Sequence, residues 1–195
     1  MQIKQTQLSD VVVFELSAFG DSRGFFRELF RVNSYREFGI KDSFVQFNHS
    51  RSSKNVLRGL HYQKKYPQGK LVSITRGAIL DVVVDIRYGS PTFGKWVAEE
   101  LSDQNHKQIY VPPGYAHGIL ILSDVADLLY QCTEYYHPED EMSIAWNDPT
   151  LNISWPINNP TLSEKDKSAR FLYELAIEDL PQYVVEEVEE ESLTI

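Results

Sequence analysis

A succession of short β-branched and aromatic segments, each closed by a turn signal, constrains this chain most. Val11-Val12-Val13-Phe14-Glu15-Leu16 is the first, and Phe44 to Asn48, Val56 to Gln63, Lys70 to Thr75 and Ala78 to Ile86 follow. Trp96 to Leu101, Gln108 to Val111, Gly118 to Leu122 and Asp127 to Tyr135 continue the series. Arg76-Gly77, Tyr88-Gly89-Ser90-Pro91 and Pro112-Pro113-Gly114 break it where glycine and proline favour turns. Many short strands at regular spacing predict an all-β sandwich or barrel of the jelly-roll type. Only two short helices fit beside it, one over about Ser34 to Phe38 and one starting near Ser163. There Ser163-Glu164-Lys165-Asp166 has the spacing of a capping box.

With 195 residues and no linker or repeat, one domain with a real core is expected. No apolar run approaches a membrane span, and Met1 to Gln5 lacks the pattern of a signal peptide. A single cysteine, Cys132, excludes an intrachain disulfide and fits a reducing cytoplasm. The net charge of −9 argues against a nucleic-acid coat. Much of that charge sits in the tail, where Glu186, Glu187, Glu189, Glu190 and Glu191 cluster. An acidic protein that binds an anion must gather its cations locally, among aromatics.

One such gathering is Val56-Leu57-Arg58-Gly59-Leu60-His61-Tyr62-Gln63, followed by Gly69-Lys70. An imidazole between two cations suits proton removal from a substrate that carries phosphate. A core strand with no function would not carry these groups, because buried charge is costly unless paired. On a regular strand, however, Arg58 and His61 face opposite ways. If both line one cavity the strand must bulge, and Gly59 is the natural place.

Tyr130 and Tyr136 share parity with Leu128, Cys132 and Glu134, so one strand would aim both phenols inward. A phenol can serve as general acid, and an aromatic ring can stack on a base. Arg23, in Gly20-Asp21-Ser22-Arg23-Gly24-Phe25-Phe26, reads either as anion recognition or as part of a turn and edge strand. Glu28 shares parity with Phe26 and would accept a hydrogen bond from a nucleobase imide. Pro112 to Gly118 holds a turn that ends in His117 at a strand start, placed as a metal ligand would be in a cupin. His61 and His117 alone are too few for a catalytic metal, so none is expected.

Taken together, these segments resemble the dTDP-4-dehydrorhamnose 3,5-epimerase family, cupin-fold epimerases of sugar nucleotides. The likeness runs from about residue 3 to residue 172. It also includes Val45-Gln46-Phe47-Asn48-His49-Ser50, Gly114-Tyr115-Ala116-His117-Gly118, Tyr135-Tyr136-His137-Pro138-Glu139 and Leu162-Ser163-Glu164-Lys165-Asp166. The resemblance implies an epimerase domain over residues 1–176 and an acidic tail over 177–195.

It also implies a reaction on dTDP-4-keto-6-deoxy-D-glucose without a cofactor. His61 is then the base, Asp166 its partner, Lys70 the stabiliser of the enolate and Tyr130 the acid. Arg23, Arg58 and His117 match substrate contacts near the phosphates and the sugar. Glu28, Gln46 and Asn48 match nucleotide and sugar contacts, while Tyr136 matches the ring that stacks on thymine. Glu141 and Lys165 match less closely. The family implies a homodimer that exchanges N-terminal strands. Phe47 lies in the segment that touches the nucleotide, but many members carry Asp at that position. Ser73 stands where a basic residue is frequent, and the acidic tail has no family counterpart. A mono-epimerase or ketoisomerase on a related sugar, a cupin that only binds sugar nucleotides, and a metal cupin are the alternatives.

Overall fold

The computed structural model describes residues 1–184. Its strands are β1 (Gln2–Gln5), β2 (Val12–Glu15), β3 (Ala18–Asp21), β4 (Gly24–Arg27), β5 (Gln46–Ser53), β6 (Leu57–Gln63) and β7 (Lys70–Arg76). They continue with β8 (Ala78–Asp85), β9 (Trp96–Ser102), β10 (Lys107–Val111), β11 (Tyr115–Ile121), β12 (Val125–Cys132) and β13 (Glu141–Ser143). Two short helices, α1 (Val32–Glu37) and α2 (Glu164–Lys167), fall where the sequence predicts them. No helix among the described residues is long and apolar enough to cross a membrane.

Two sheets face each other, as the jelly-roll expectation requires. One runs β1-β2-β10-β7-β12-β5 and the other β13-β6-β11-β8-β9. Strand parity sorts the side chains into layers. Val72 and Ile74 of β7, Val83 of β8, Ile119 of β11 and Leu128 of β12 fill the space between the sheets. Their neighbours Val82, Val84, Leu60 and Ala116 point the other way, onto Leu151, Leu172, Leu175 and Leu180. Helix α1 covers the opposite outer face, burying Tyr35 with Phe14, Leu71 and Tyr110. Because chain segments cover both faces, strands such as β8 read as nearly continuous apolar runs.

Leu180 is buried and Tyr88 bridges to Gln182, so the compact fold continues past residue 176, the expected end of the domain. The Glu186 to Glu191 cluster lies outside the described residues.

Strand β6 is irregular where Gly59 predicts it. His61 pairs with His117 and Arg58 with Ile119, so three steps on β6 oppose two on β11. Gly59 has φ 128°, and a Cβ there would stand 2.5 Å from the Cα of Gly118 and 2.8 Å from the His117 carbonyl oxygen. The bulge turns Arg58 and His61 to the same side. Two features were not foreseen. Strand β12 stops at Cys132, so Tyr136 does not share a strand with Tyr130. The β3–β4 ribbon joins neither sheet and exposes Phe19, Phe25 and Phe26.

Candidate active site

A cavity of about 340 Å³ opens between the sheets. Arg58 and His61 reach it from β6, Lys70 from β7, His117 from β11 and Tyr130 from β12. Gln46, Asn48 and Ser50 line it as alternate residues of β5, while Gln68, Tyr136 and Glu141 stand at its loops and on β13. Tyr136 arrives by a loop rather than a strand, and its backbone N–H donates to Gln46 Oε1 at 2.9 Å. Gln63 and Asp140 knit the segments around the mouth. Gln63 Oε1 accepts from the His137 N–H, and Asp140 accepts from the N–H groups of Lys65 and Tyr66.

His61 is set by a carboxylate from the far end of the chain. Its Nε2–H donates to Asp166 Oδ1 at 2.6 Å, leaving Nδ1 3.8 Å from Glu141 Oε1. Asp166 is itself fixed by the cap of α2. Ser163 Oγ accepts from the Asp166 N–H and donates to Asp166 Oδ2 at 2.9 Å. The capping-box residue therefore gives one carboxylate oxygen to the imidazole and the other to the Ser163 hydroxyl at the helix start. Burial opposes ionisation of Asp166. The hydrogen bond and charge of His61, with help from Ser163 and the Gly59 N–H, outweigh it and hold the carboxyl below its ordinary range.

A second imidazole–carboxylate pair stands on the next strand. His117 Nε2–H donates to Asp81 Oδ2 at 2.9 Å, and Asp81 is fully buried. Asp81 was not anticipated as a site residue. The available signal was a lone carboxylate inside the apolar run of β8, which needs a partner. Ser52 was also missed: its Oγ accepts from Arg58 Nε and Nη2 at 3.1 and 2.9 Å.

Lys70 shows the reverse situation, because no hydrogen bond or ion pair engages its ammonium among the described residues. Burial pulls its pKa below the ordinary lysine value, and the neighbouring Cys132, Glu141 and Asp81 only partly offset this. An anion arriving beside such an ammonium gains more than it would at a hydrated one. Burial also pushes the Tyr130 phenol up; Cys132 and Glu141 add to this and Arg58 opposes it, so the phenol keeps its proton in the resting site. Glu141 accepts from the Tyr136 hydroxyl at 2.9 Å and from the Lys165 ammonium. Burial raises its carboxyl, but Lys165, His61 and Tyr136 together hold it below the ordinary value.

Three expected site residues lie elsewhere in this chain. Arg23 is 88% exposed at the tip of the β3–β4 ribbon, paired with Asp21. Glu28 is exposed and pairs with Arg31 at 2.7 Å. Phe47 falls between Gln46 and Asn48 on β5 and therefore points away from the cavity. Lys165 is at the rim, on Glu141. Among the described residues, no three His, Cys, Asp or Glu side chains converge as a metal-binding group.

The cavity thus offers an oriented imidazole, a protonated phenol from the opposite sheet and unpaired positive charge between them. That set can move protons to and from a carbon acid whose anion needs stabilising. The sequence profile of the dTDP-4-dehydrorhamnose 3,5-epimerase family matches residues 5–174. The chain is 50% identical over 172 residues to dTDP-4-dehydrorhamnose 3,5-epimerase of Pseudomonas aeruginosa, covering 87% of this chain and 95% of that one. It is 50% identical over 178 residues to the enzyme of the same name from Escherichia coli K12, covering 90% and 96%. Its fold is similar, with a TM-score of 0.92 and 50% identity, to the crystal structure of dTDP-6-deoxy-D-glucose-3,5-epimerase RmlC from Legionella pneumophila Philadelphia 1 in complex with dTDP-4-keto-L-rhamnose. That alignment covers 94% of this chain and 99% of the other.

Proposed function

This chain belongs to the dTDP-4-dehydrorhamnose 3,5-epimerase family, and from that premise we infer that it is an isomerase that inverts C3 and C5 of dTDP-4-keto-6-deoxy-D-glucose to give dTDP-4-keto-L-rhamnose. The 4-keto group makes the hydrogens on both neighbouring carbons acidic. His61, with Nε2–H held by Asp166, takes a proton through Nδ1, and the released electron pair moves onto the ketone oxygen. Lys70 and His117 balance the enolate charge. Tyr130 then gives its proton to the same carbon from the other side. The ketone itself is the electron sink, so the reaction as proposed draws on no cofactor.

One observation carries this reading. His61 stands on β6 of one sheet and Tyr130 on β12 of the facing sheet, and both line one cavity. A sugar ring held between the sheets meets the base on one side and the acid on the other, which is what inversion requires. Arg58 is assigned to the diphosphate, Gln46 and Asn48 to the nucleotide and sugar, and Tyr136 to stacking on thymine. Glu141 and Lys165 close the rim. Arg23, Glu28 and Phe47 do not reach the cavity of their own chain. Arg23 and Glu28, on and next to the β3–β4 ribbon, fit a homodimer in which that ribbon completes the partner's site, a role supported by its exposed aromatics and its separation from both sheets. A cytoplasmic setting suits a nucleotide-sugar substrate and a lone free thiol.

The test is turnover in heavy water followed by NMR. Deuterium is expected at both C3 and C5. Label at one carbon only points to a mono-epimerase, and nucleotide binding without any turnover points to a binding protein. His61→Asn is expected to lower the rate by about 10²–10⁴-fold, the usual contribution of a proton-transfer group, with little change in nucleotide affinity. A variant that keeps more than about a tenth of the parent rate contradicts the assignment.

A further inference from the structure

Inverting two carbons of one bound sugar raises a problem that a single inversion does not. When His61 Nδ1 takes the first proton, the C–H electron pair passes into the enolate, and the Tyr130 proton then bonds to the same carbon. The ketone is restored, but the base is left as imidazolium and the acid as phenolate. The second carbon cannot react until the Nδ1 lone pair is free again.

One route out of His61 is closed. Nε2–H is committed to Asp166 Oδ1, and the other Asp166 oxygen accepts from Ser163. Asp166 is buried, so a proton left there has no path to water. On the Nδ1 side stands Glu141, with Oε1 3.8 Å away. Its Oε2 meets Tyr136 and Lys165, and the Lys165 side chain is 43% exposed. Glu141 therefore spans from the base to the rim of the cavity.

We propose that Glu141 is the proton outlet of the base: between the two inversions it takes the proton from His61 Nδ1 and releases it to solvent at the Lys165 edge. This rests on the double-inversion reading above. The imidazolium N–H bond breaks and its pair stays on Nδ1, while Glu141 Oε1 gains an O–H bond. The carboxylic acid then gives the proton to water, and the Tyr130 phenolate takes one from water, so the enzyme returns to its starting state. The 3.8 Å separation is longer than a hydrogen bond. A rotation of the Glu141 side chain closes it, and catalytic contacts in unliganded sites are commonly long. Lys165 keeps Glu141 ionised between events, the form that can accept.

A group that merely holds substrate affects both inversions alike, and this difference is the test. Parent enzyme and Glu141→Gln, each in excess over dTDP-4-keto-6-deoxy-D-glucose, are mixed in heavy water and quenched at intervals, and the label at C3 and C5 is read by NMR. The ratio of second-carbon to first-carbon rate is expected to fall at least about tenfold in the variant, with singly inverted sugar accumulating. Equal slowing at both carbons, or no slowing at either, overturns the proposal. Should Glu141→Gln fail to fold, Lys165→Met at the exposed edge carries the same readout. A selective lag at the second carbon supports the outlet, and an unchanged ratio overturns it. A parent enzyme that labels one carbon only overturns the double-inversion premise itself, and that result is read before either variant.

Discussion

Asp81 shows how much one side chain can be asked to do. Its Oδ2 holds His117, while its Oδ1 is buried with no hydrogen-bond partner among the described residues. A fold selected for stability alone has no reason to keep such a group, since an unpaired buried oxygen costs about 1–3 kcal/mol. Its value lies in aiming the imidazole. Asp81→Asn keeps the shape and removes the charge. We expect kcat/KM to fall about 10–100-fold, the measure of a hydrogen bond to a charged group, with the melting temperature unchanged or slightly higher. An unaltered kcat/KM in steady-state assays shows that something else orients His117. The His61–Asp166 pair follows the same logic at longer reach, with imidazole and carboxylate 105 positions apart in the chain.

The element that matters most is β6, because its bulge converts opposite parity into a shared face. Gly59 and Gly118 meet back to back where β6 and β11 pair, each leaving room for the other's backbone. In Gly59→Ala the new methyl group has backbone, not a flexible side chain, at 2.5 and 2.8 Å. The φ of 128° is also one that L-residues rarely adopt. A loss of at least about 2 kcal/mol is expected in urea denaturation, together with loss of turnover. Retention of parent stability shows that β6 can be rebuilt without the bulge. Helix α2 is the other element with a task beyond packing: its N-cap serine positions the Asp166 carboxylate as well as opening the helix.

At the scale of the whole molecule, two predictions concern assembly and pH. An isolated two-stranded ribbon is marginally stable in water, yet β3–β4 stands free and pairs Phe19 with Phe26, both about two-thirds exposed. Phe19→Ser combined with Phe26→Ser is expected to shift sedimentation from dimer to monomer and to reduce activity. A parent protein that sediments as a monomer rules out the exchanged-strand assembly. For pH, Asp85, Glu99 and Asp166 have carboxyls below their ordinary values. Burial opposes this, but Arg87, Lys107 and His61 outweigh it. Their stabilisation is full above the unfolded-chain values near ~4 and is lost as pH falls through the lower native ones. The buried phenols of Tyr35, Tyr62, Tyr110 and Tyr115 are pushed up, chiefly by burial. The native state keeps those protons where the unfolded chain gives them up, so stability falls again as pH rises above about 10. Urea midpoints across pH are expected to form a plateau with a fall at each end.

Local chemistry in the chain determined the strands, the turns, the two short helices and the need for a bulge at Gly59. Each depends on neighbours a few residues apart, where alternation, β-branching and glycine act directly. That Arg58 and His61 line one cavity was legible for the same reason: titratable groups on one strand need an occupant or a partner. Tertiary structure decided the rest. The end of β12 at Cys132 moved Tyr136 onto a loop, and the pairing of Asp81 with His117 gave a buried carboxylate its purpose. The position of Glu141 beside His61 depends on β13 joining β6 from 78 residues away. Such contacts follow from how two sheets close on each other, and no window of sequence contains both partners.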